Sequence, residues 1–138
     1  MIQQNIYNVA IYCRLSRDDL TQGESTSIST QKDMLTAYVK DRNWRVVDYY
    51  TDDGISGTTF ERDGFKRMIE DIHDGKINMV ITKDLSRLGR DYLKTGFYTE
   101  CFFPEHDVRY IAVNDGIDTI NNDNDIAPFK NILNVMHS

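Results

Sequence analysis

Two short runs in this 138-residue chain combine a hydroxyl with guanidinium groups: Tyr12-Cys13-Arg14-Leu15-Ser16 and Ser86-Arg87-Leu88-Gly89-Arg90. On an extended strand, residues two apart point the same way, so Tyr12, Arg14 and Ser16 share one face. In the second run, arginines at i and i+3 on the opening turn of a helix lie on one side. A cation is disfavoured at a helix start, where the dipole is positive. Two arginines there imply a compensating anion. Guanidinium forks and the free amides of a helix start both favour phosphate. A serine hydroxyl ringed by guanidiniums is a device for attacking a phosphodiester. Each donor fixed in advance at the site of developing charge lowers such a barrier by about 3–4 kcal/mol.

Taken singly, these residues also have ordinary readings. Arg14 and Ser16 fit a strand end meeting solvent. Arg87 and Arg90 fit surface ion pairs with Asp84 and Asp91. Arg62, which closes a glycine-bearing loop, reads as a surface charge, Asp52 as a turn residue and Gln31 as an amide at the rim of a core. The functional readings are orientation of an arginine for Asp52 and support of the strand-one end for Gln31. Other chemistries lack a pattern. His73, His106 and His137 do not accompany Ser16 in sequence, so a Ser-His-Asp arrangement is unsupported. There is no GxxxxGK[ST] loop for ATP and no acidic arrangement that specifies a two-metal nuclease. The two cysteines, Cys13 and Cys101, form no metal or disulfide motif, and each falls within an apolar pattern that predicts a reduced core residue.

The elements that must position these groups follow from periodicity. Val9 to Leu15 alternates as strand one. Ser27 caps a helix to about Asn43, with Ile28, Gln31, Leu35, Tyr38 and Val39 on its inner side. Trp44 to Tyr50 is strand two, and Thr51 to Arg62 a polar loop. Asp63 caps a helix with Phe65, Met68, Ile69 and Ile72 inward, ended by Gly75. Met79 to Thr82 is a buried strand. After the arginine run, a helix from Asp91 to His106 turns Leu93, Phe97, Cys101 and Phe102 to the core. Val108 to Val113 is a further strand, Asn114-Asp115-Gly116 a turn, and Ile117 to Ile120 an edge strand. This β-α-β order predicts an α/β fold, a three-layer arrangement with a mostly parallel sheet and helices on both faces. Ligands bind such sheets beyond the carboxyl ends of the strands. Ser16, the 52–62 loop and Arg87 all follow strand ends, so one crevice can gather them.

The charge of −6 speaks against a dedicated DNA-binding module. If the chain acts on DNA, most of the grip on the duplex is expected elsewhere. The ending agrees. Asp125 and Pro128 open a helix whose stripe is Phe129, Ile132, Leu133 and Met136, and the sequence stops at Ser138 without a C-cap. A fragment is therefore expected, with a domain over residues 1–124 and the start of a connecting helix over 125–138. The sequence has no secretory signal pattern and no apolar run near the roughly 18 residues of a membrane span, which makes the cytoplasm the expected compartment.

Together these motifs, in this order, resemble the serine recombinases, the resolvase/invertase family: Tyr12-x-Arg14-x-Ser16, Ser27-x-x-x-Gln31, Asp52-x-x-Ile55-Ser56-Gly57, Arg62-x-Gly64-Phe65 and Ser86-Arg87-Leu88-Gly89-Arg90. The match runs from about residue 7 to 138. The resemblance implies a resolvase-like catalytic domain in which Ser16 is the nucleophile and forms a 5′-phosphoserine link to DNA. Arg14, Arg62, Arg87 and Arg90 would stabilise the phosphoryl group, with Tyr12, Gln31 and Asp52 in support. It implies double-stranded DNA sites as partners, a dimer and a synaptic tetramer in the full-length protein, exchange of ends by subunit rotation, association with the nucleoid, and no cofactor, ATP or metal. Ser86 stands where many members carry aspartate, which puts an acid–base role at that position in question. The long Ser16–Gln31 loop is more similar to the large serine recombinases of phages and transposons, whose long helix leads to C-terminal DNA-binding domains.

Two other readings use the same residues. A phosphate- or nucleotide-sensing domain on a flavodoxin-like sheet would need the helix-start arginines but not Ser16. An inactive interaction domain would assemble through its C-terminal helix.

Overall fold

In the computed structural model, the structure describes residues 6–15, 27–54 and 62–120. Strand β1 (Asn8–Leu15) is followed by helix α1 (Ile28–Asp41), β2 (Arg45–Asp53), α2 (Asp63–His73), β3 (Met79–Thr82) and the single turn α3 (Leu85–Leu88). Helix α4 (Tyr92–Phe97) runs through a π-helical turn (Tyr98–Phe102) into α5 (Phe103–Glu105). Strands β4 (Arg109–Ala112) and β5 (Ile117–Asp118) complete the described chain.

The sheet order is β2-β1-β3-β4-β5. Every pairing is parallel except β4 with β5. The alternation of β1 divides the core as its side chains require. Val9, Ile11 and Cys13 pack with Leu35 and Val39 of α1 on one face. Ala10 and Tyr12 pack with Phe65, Met68, Leu88, Phe102 and Phe103 on the other. Helices therefore cover both faces, and the expected α/β architecture is the one observed. From β1 the chain first crosses left to β2 and later right to β3. The carboxyl ends of β1 and β3 thus flank the point where strand order reverses, the usual place for a crevice in such sheets.

Several local expectations need correction. Strand β2 extends to Asp53, so Thr51 and Asp52 belong to the sheet rather than to a loop. Asp63 is the first helical residue of α2 and not its cap. The Asp52 carboxylate reaches over from β2 and accepts from Gly64 N and Phe65 N, each at 2.9 Å, which leaves no role for a local capping side chain. The helix after the arginine run buries Thr95, Gly96 and Thr99 together with Phe102 and Phe103. Leu93 and Phe97 are 46% and 50% exposed, and Cys101 is exposed as well. The inward positions of this helix are small side chains followed by aromatic ones, and Thr99 satisfies its hydroxyl on the Thr95 carbonyl at 3.0 Å. Cys13 is the core residue expected, and burial pushes its thiol up to about 12. The 17–26 loop and the 125–138 helix lie outside the described residues.

Candidate active site

Arg14 near the end of β1, Arg62 at the start of α2 and Arg87 in α3 are each no more than 1% exposed. Burying a guanidinium is costly unless its donors find acceptors, and backbone carbonyls take donors from all three here, with the Tyr12 hydroxyl and the Asp84 carboxylate taking others. Arg14 Nε donates to the Arg87 carbonyl at 3.1 Å, and Arg14 Nη2 donates to the Ser86 carbonyl. Arg62 Nη1 lies 3.5 Å from that same Arg87 carbonyl, and Arg62 Nη2 donates to Leu88 O at 2.7 Å. Arg87 Nη1 returns a bond to the Arg14 carbonyl at 2.9 Å. The carbonyl oxygens solvate these cations and add no compensating charge of their own. They also fix the direction of each planar fork.

The supporting residues form a continuous chain of bonds around this cluster. Gln31 from α1 accepts from Arg14 N at 3.2 Å and donates to Arg14 O at 3.1 Å. The β1–β3 pairing has already ended at Ile11, so the side-chain amide takes the place of a missing strand. Ser27 makes this possible by capping α1, its hydroxyl accepting from Thr30 N at 3.1 Å. Tyr12 donates its hydroxyl to Asp52 Oδ2 at 2.7 Å and accepts from Arg62 Nη1 at 2.8 Å. Asp52 is thus linked to Arg62 through the Tyr12 hydroxyl. Burial is the main reason that the Tyr12 hydroxyl is held well above the ordinary phenol range; the nearby Arg62 charge opposes it and Asp52 reinforces it. Gly64 is required by this arrangement. A Cβ there would lie 2.5 Å from the Thr51 carbonyl and 2.9 Å from Asp52 Oδ2.

The second arginine run is built differently from the expected helix start. Arg87 sits in the last turn of the four-residue α3, whose cap is Asp84. Gly89 then runs extended, and α4 begins again after Asp91, which accepts from Leu93 N and Lys94 N. Arg87 and Arg90 are therefore not one helical face. Arg87 turns inward, where the anion beside it is Asp84 at 3.3 Å. Arg90 is half-buried and lines a cavity of about 520 Å³ with Ser86, Gly89, Tyr92 and Asp115. Tyr12, Arg14, Gln31, Asp52, Arg62 and Arg87 are brought together, Arg90 stands at the neighbouring cavity, and Ser16 lies outside the described residues.

Comparison with known proteins matches the family described as "Resolvase, N terminal domain" over residues 9–137. The chain belongs to the serine recombinases. It is similar to the N-terminal catalytic domain of TP901-1 integrase at 34% identity, over 94% of this chain and 93% of that one, with a TM-score of 0.78. It is also similar to a resolvase family site-specific recombinase from Streptococcus pneumoniae at 28% identity, over 95% and 88% of the two chains, with a TM-score of 0.77. The catalytic domain of ISC1926 TnpA, an IS607-like serine recombinase, shares the fold at 22% identity and a TM-score of 0.64, over 75% and 68%.

As a site-specific recombinase the chain is an enzyme, which sets aside both the phosphate-sensing domain and the inactive interaction domain. The recombinase site also holds a residue that the sequence reading left among surface ion pairs. Asp84 receives Ser86 Oγ at 2.6 Å and Arg87 Nε at 3.3 Å. Its signal in the sequence is an acidic residue two positions before Ser86 and three before Arg87, immediately after a buried strand.

Proposed function

We propose that this domain cuts and rejoins double-stranded DNA at specific sites through Ser16. The observation that supports this best is the convergence of the buried Arg14 of β1, Arg62 at the start of α2 and Arg87 of α3. Ser16 directly follows β1, two positions after Arg14 in the sequence. Its hydroxyl oxygen attacks the scissile phosphorus. The new bond is a serine–phosphate ester to the 5′ end, and the bond that breaks is the one from phosphorus to the 3′ oxygen, which leaves as a hydroxyl. In the transition state negative charge grows on the phosphoryl oxygens, and Arg14, Arg62 and Arg87 stabilise it. Arg90 engages the substrate from the neighbouring cavity. Tyr12, Asp52 and Gln31 hold the guanidiniums and the end of β1. Rejoining is the reverse attack by the 3′ hydroxyl, so the ester conserves the energy of the original linkage.

The substrate needs two duplex sites brought together, so we assign self-association to the full-length protein and the cytoplasm as the place of action. Among the described residues no helix is long and apolar enough to cross a membrane. The test uses full-length protein and a nicked suicide substrate carrying its recombination site. A denaturation-resistant protein–DNA adduct that is absent in Ser16→Ala supports the reading. An adduct of equal yield in that variant overturns it.

A further inference from the structure

The anion that handles Arg87 in this recombinase is not at position 86. Asp84 leaves β3 with an extended backbone, and its Oδ1 gathers three donors: Arg87 N at 3.2 Å, Arg87 Nε at 3.3 Å and Ser86 Oγ at 2.6 Å. Because the Ser86 hydroxyl gives its proton to Asp84, its lone pairs face Arg87 Nη2, at 3.2 Å. The guanidinium is thus gripped at Nε by the carboxylate, at Nη2 by the serine and at Nη1 by the Arg14 carbonyl. Capping α3 alone does not require a carboxylate, since asparagine or serine caps a helix about as well. The charge is used on the guanidinium.

We propose that Asp84 is a positioning residue for strand cleavage: its fixed negative charge, extended through the Ser86 hydroxyl, aims the Arg87 guanidinium at the reacting phosphate. This rests on the assignment of Arg87 to the phosphoryl group. Asp84 is a standing anion and donates no proton. Burial pushes its carboxyl up, but the bond from Ser86 and the charge and bonds of Arg87 outweigh that and leave it below its ordinary value.

Single-turnover cleavage of the suicide substrate by full-length protein tests the inference, together with DNA affinity and thermal midpoint. Asp84→Asn retains a capping oxygen and removes the charge. It should lower the cleavage rate about 10- to 100-fold, as misplacement of an orienting group does, with DNA affinity close to wild type and a thermal midpoint that is lowered but still well above the assay temperature. Asp84→Ser, a second capping side chain, should give the same loss. The double variant Asp84→Asn/Ser86→Asp returns a carboxylate to the guanidinium and should recover about tenfold of the rate. Asp84→Asn cleaving within about threefold of wild type, or a double variant slower than the single one, overturns the proposal. Arg87→Ala run in parallel separates the two assignments. If it cleaves normally, the role given to Arg87 fails; if it is inactive while Asp84→Asn is unimpaired, only the role given to Asp84 fails.

Discussion

At the scale of the residue, the site is a set of buried cations held by carbonyls rather than a row of exposed charges. Arg14→Lys keeps the charge but loses the fork that spans the Ser86 and Arg87 carbonyls. Cleavage by Arg14→Lys should fall by about 10²–10³, the usual cost of losing a pre-placed donor, as read by adduct formation on the suicide substrate. Tyr12→Phe removes both the bond to Asp52 and the acceptor of Arg62. It should destabilise the domain by about 1–3 kcal/mol in urea unfolding, because a buried donor loses its partner. Asp84 gives a pH signature. Its folded-state pKa is depressed, so its contribution to stability is full above the ordinary aspartate value of about 3.9 and is lost as pH falls through the lower folded value. The stability gap between wild type and Asp84→Asn should be flat from about pH 5 to 8 and close below about pH 4. The sequence made Arg14, Arg62 and Arg87 legible because their motifs occur in a fixed order. Asp84 was not legible as part of the site, since an acidic residue three positions before an arginine has the same spacing as any exposed ion pair.

At the scale of the element, β1 and β3 were readable because they are buried through most or all of their length, and the exposed β2 from its aromatic and β-branched residues. What periodicity could not supply was help from a distant element. The cap of α2 comes from Asp52 in β2, and the last backbone groups of β1 are met by Gln31 from α1. Both depend on contacts across more than ten residues of chain. The face of α4 was misjudged for a different reason. Thr95, Gly96 and Thr99 pack inward, while Leu93 and Phe97 border a groove of about 580 Å³ with Phe65 and Ile69. Hydrophobicity alone points the wrong way here, because small and polar Thr95, Gly96 and Thr99 are the buried side chains. The clearest prediction at this scale concerns Gly64. A methyl group there meets the Thr51 carbonyl and the Asp52 carboxylate, so Gly64→Ala should cost about 1–3 kcal/mol by overpacking. It should also impair cleavage, because Asp52 carries Tyr12 and, through it, Arg62. Denaturant unfolding and the adduct assay measure the two effects separately.

At the scale of the whole molecule, the sheet order β2-β1-β3-β4-β5 explains how motifs more than seventy residues apart become neighbours. Arg14 lies near the end of β1 and Arg87 follows β3, and those strands are adjacent although α1, β2 and α2 separate them in sequence. The parallel arrangement was legible from the alternation of strands and helices; the lateral order was not, because periodicity carries no information about which strand lies beside which. The net charge of −6 sets the expected mode of DNA contact. Residues 1–138 should bind non-specific duplex DNA more weakly than about 10⁻⁵ M at physiological salt, since phosphate neutralisation by surface cations is the main source of such affinity. Fluorescence anisotropy against salt measures this, and a tight, salt-resistant complex would contradict it. The central claim is that one hydroxyl, that of Ser16, attacks a phosphate gripped by the converged arginines. Mass spectrometry of the trapped adduct, after digestion of protein and DNA, tests it most directly. The account predicts a nucleotide joined through its 5′ phosphate to the peptide carrying Ser16. A nucleotide on any other residue, or joined through a 3′ phosphate, would contradict it.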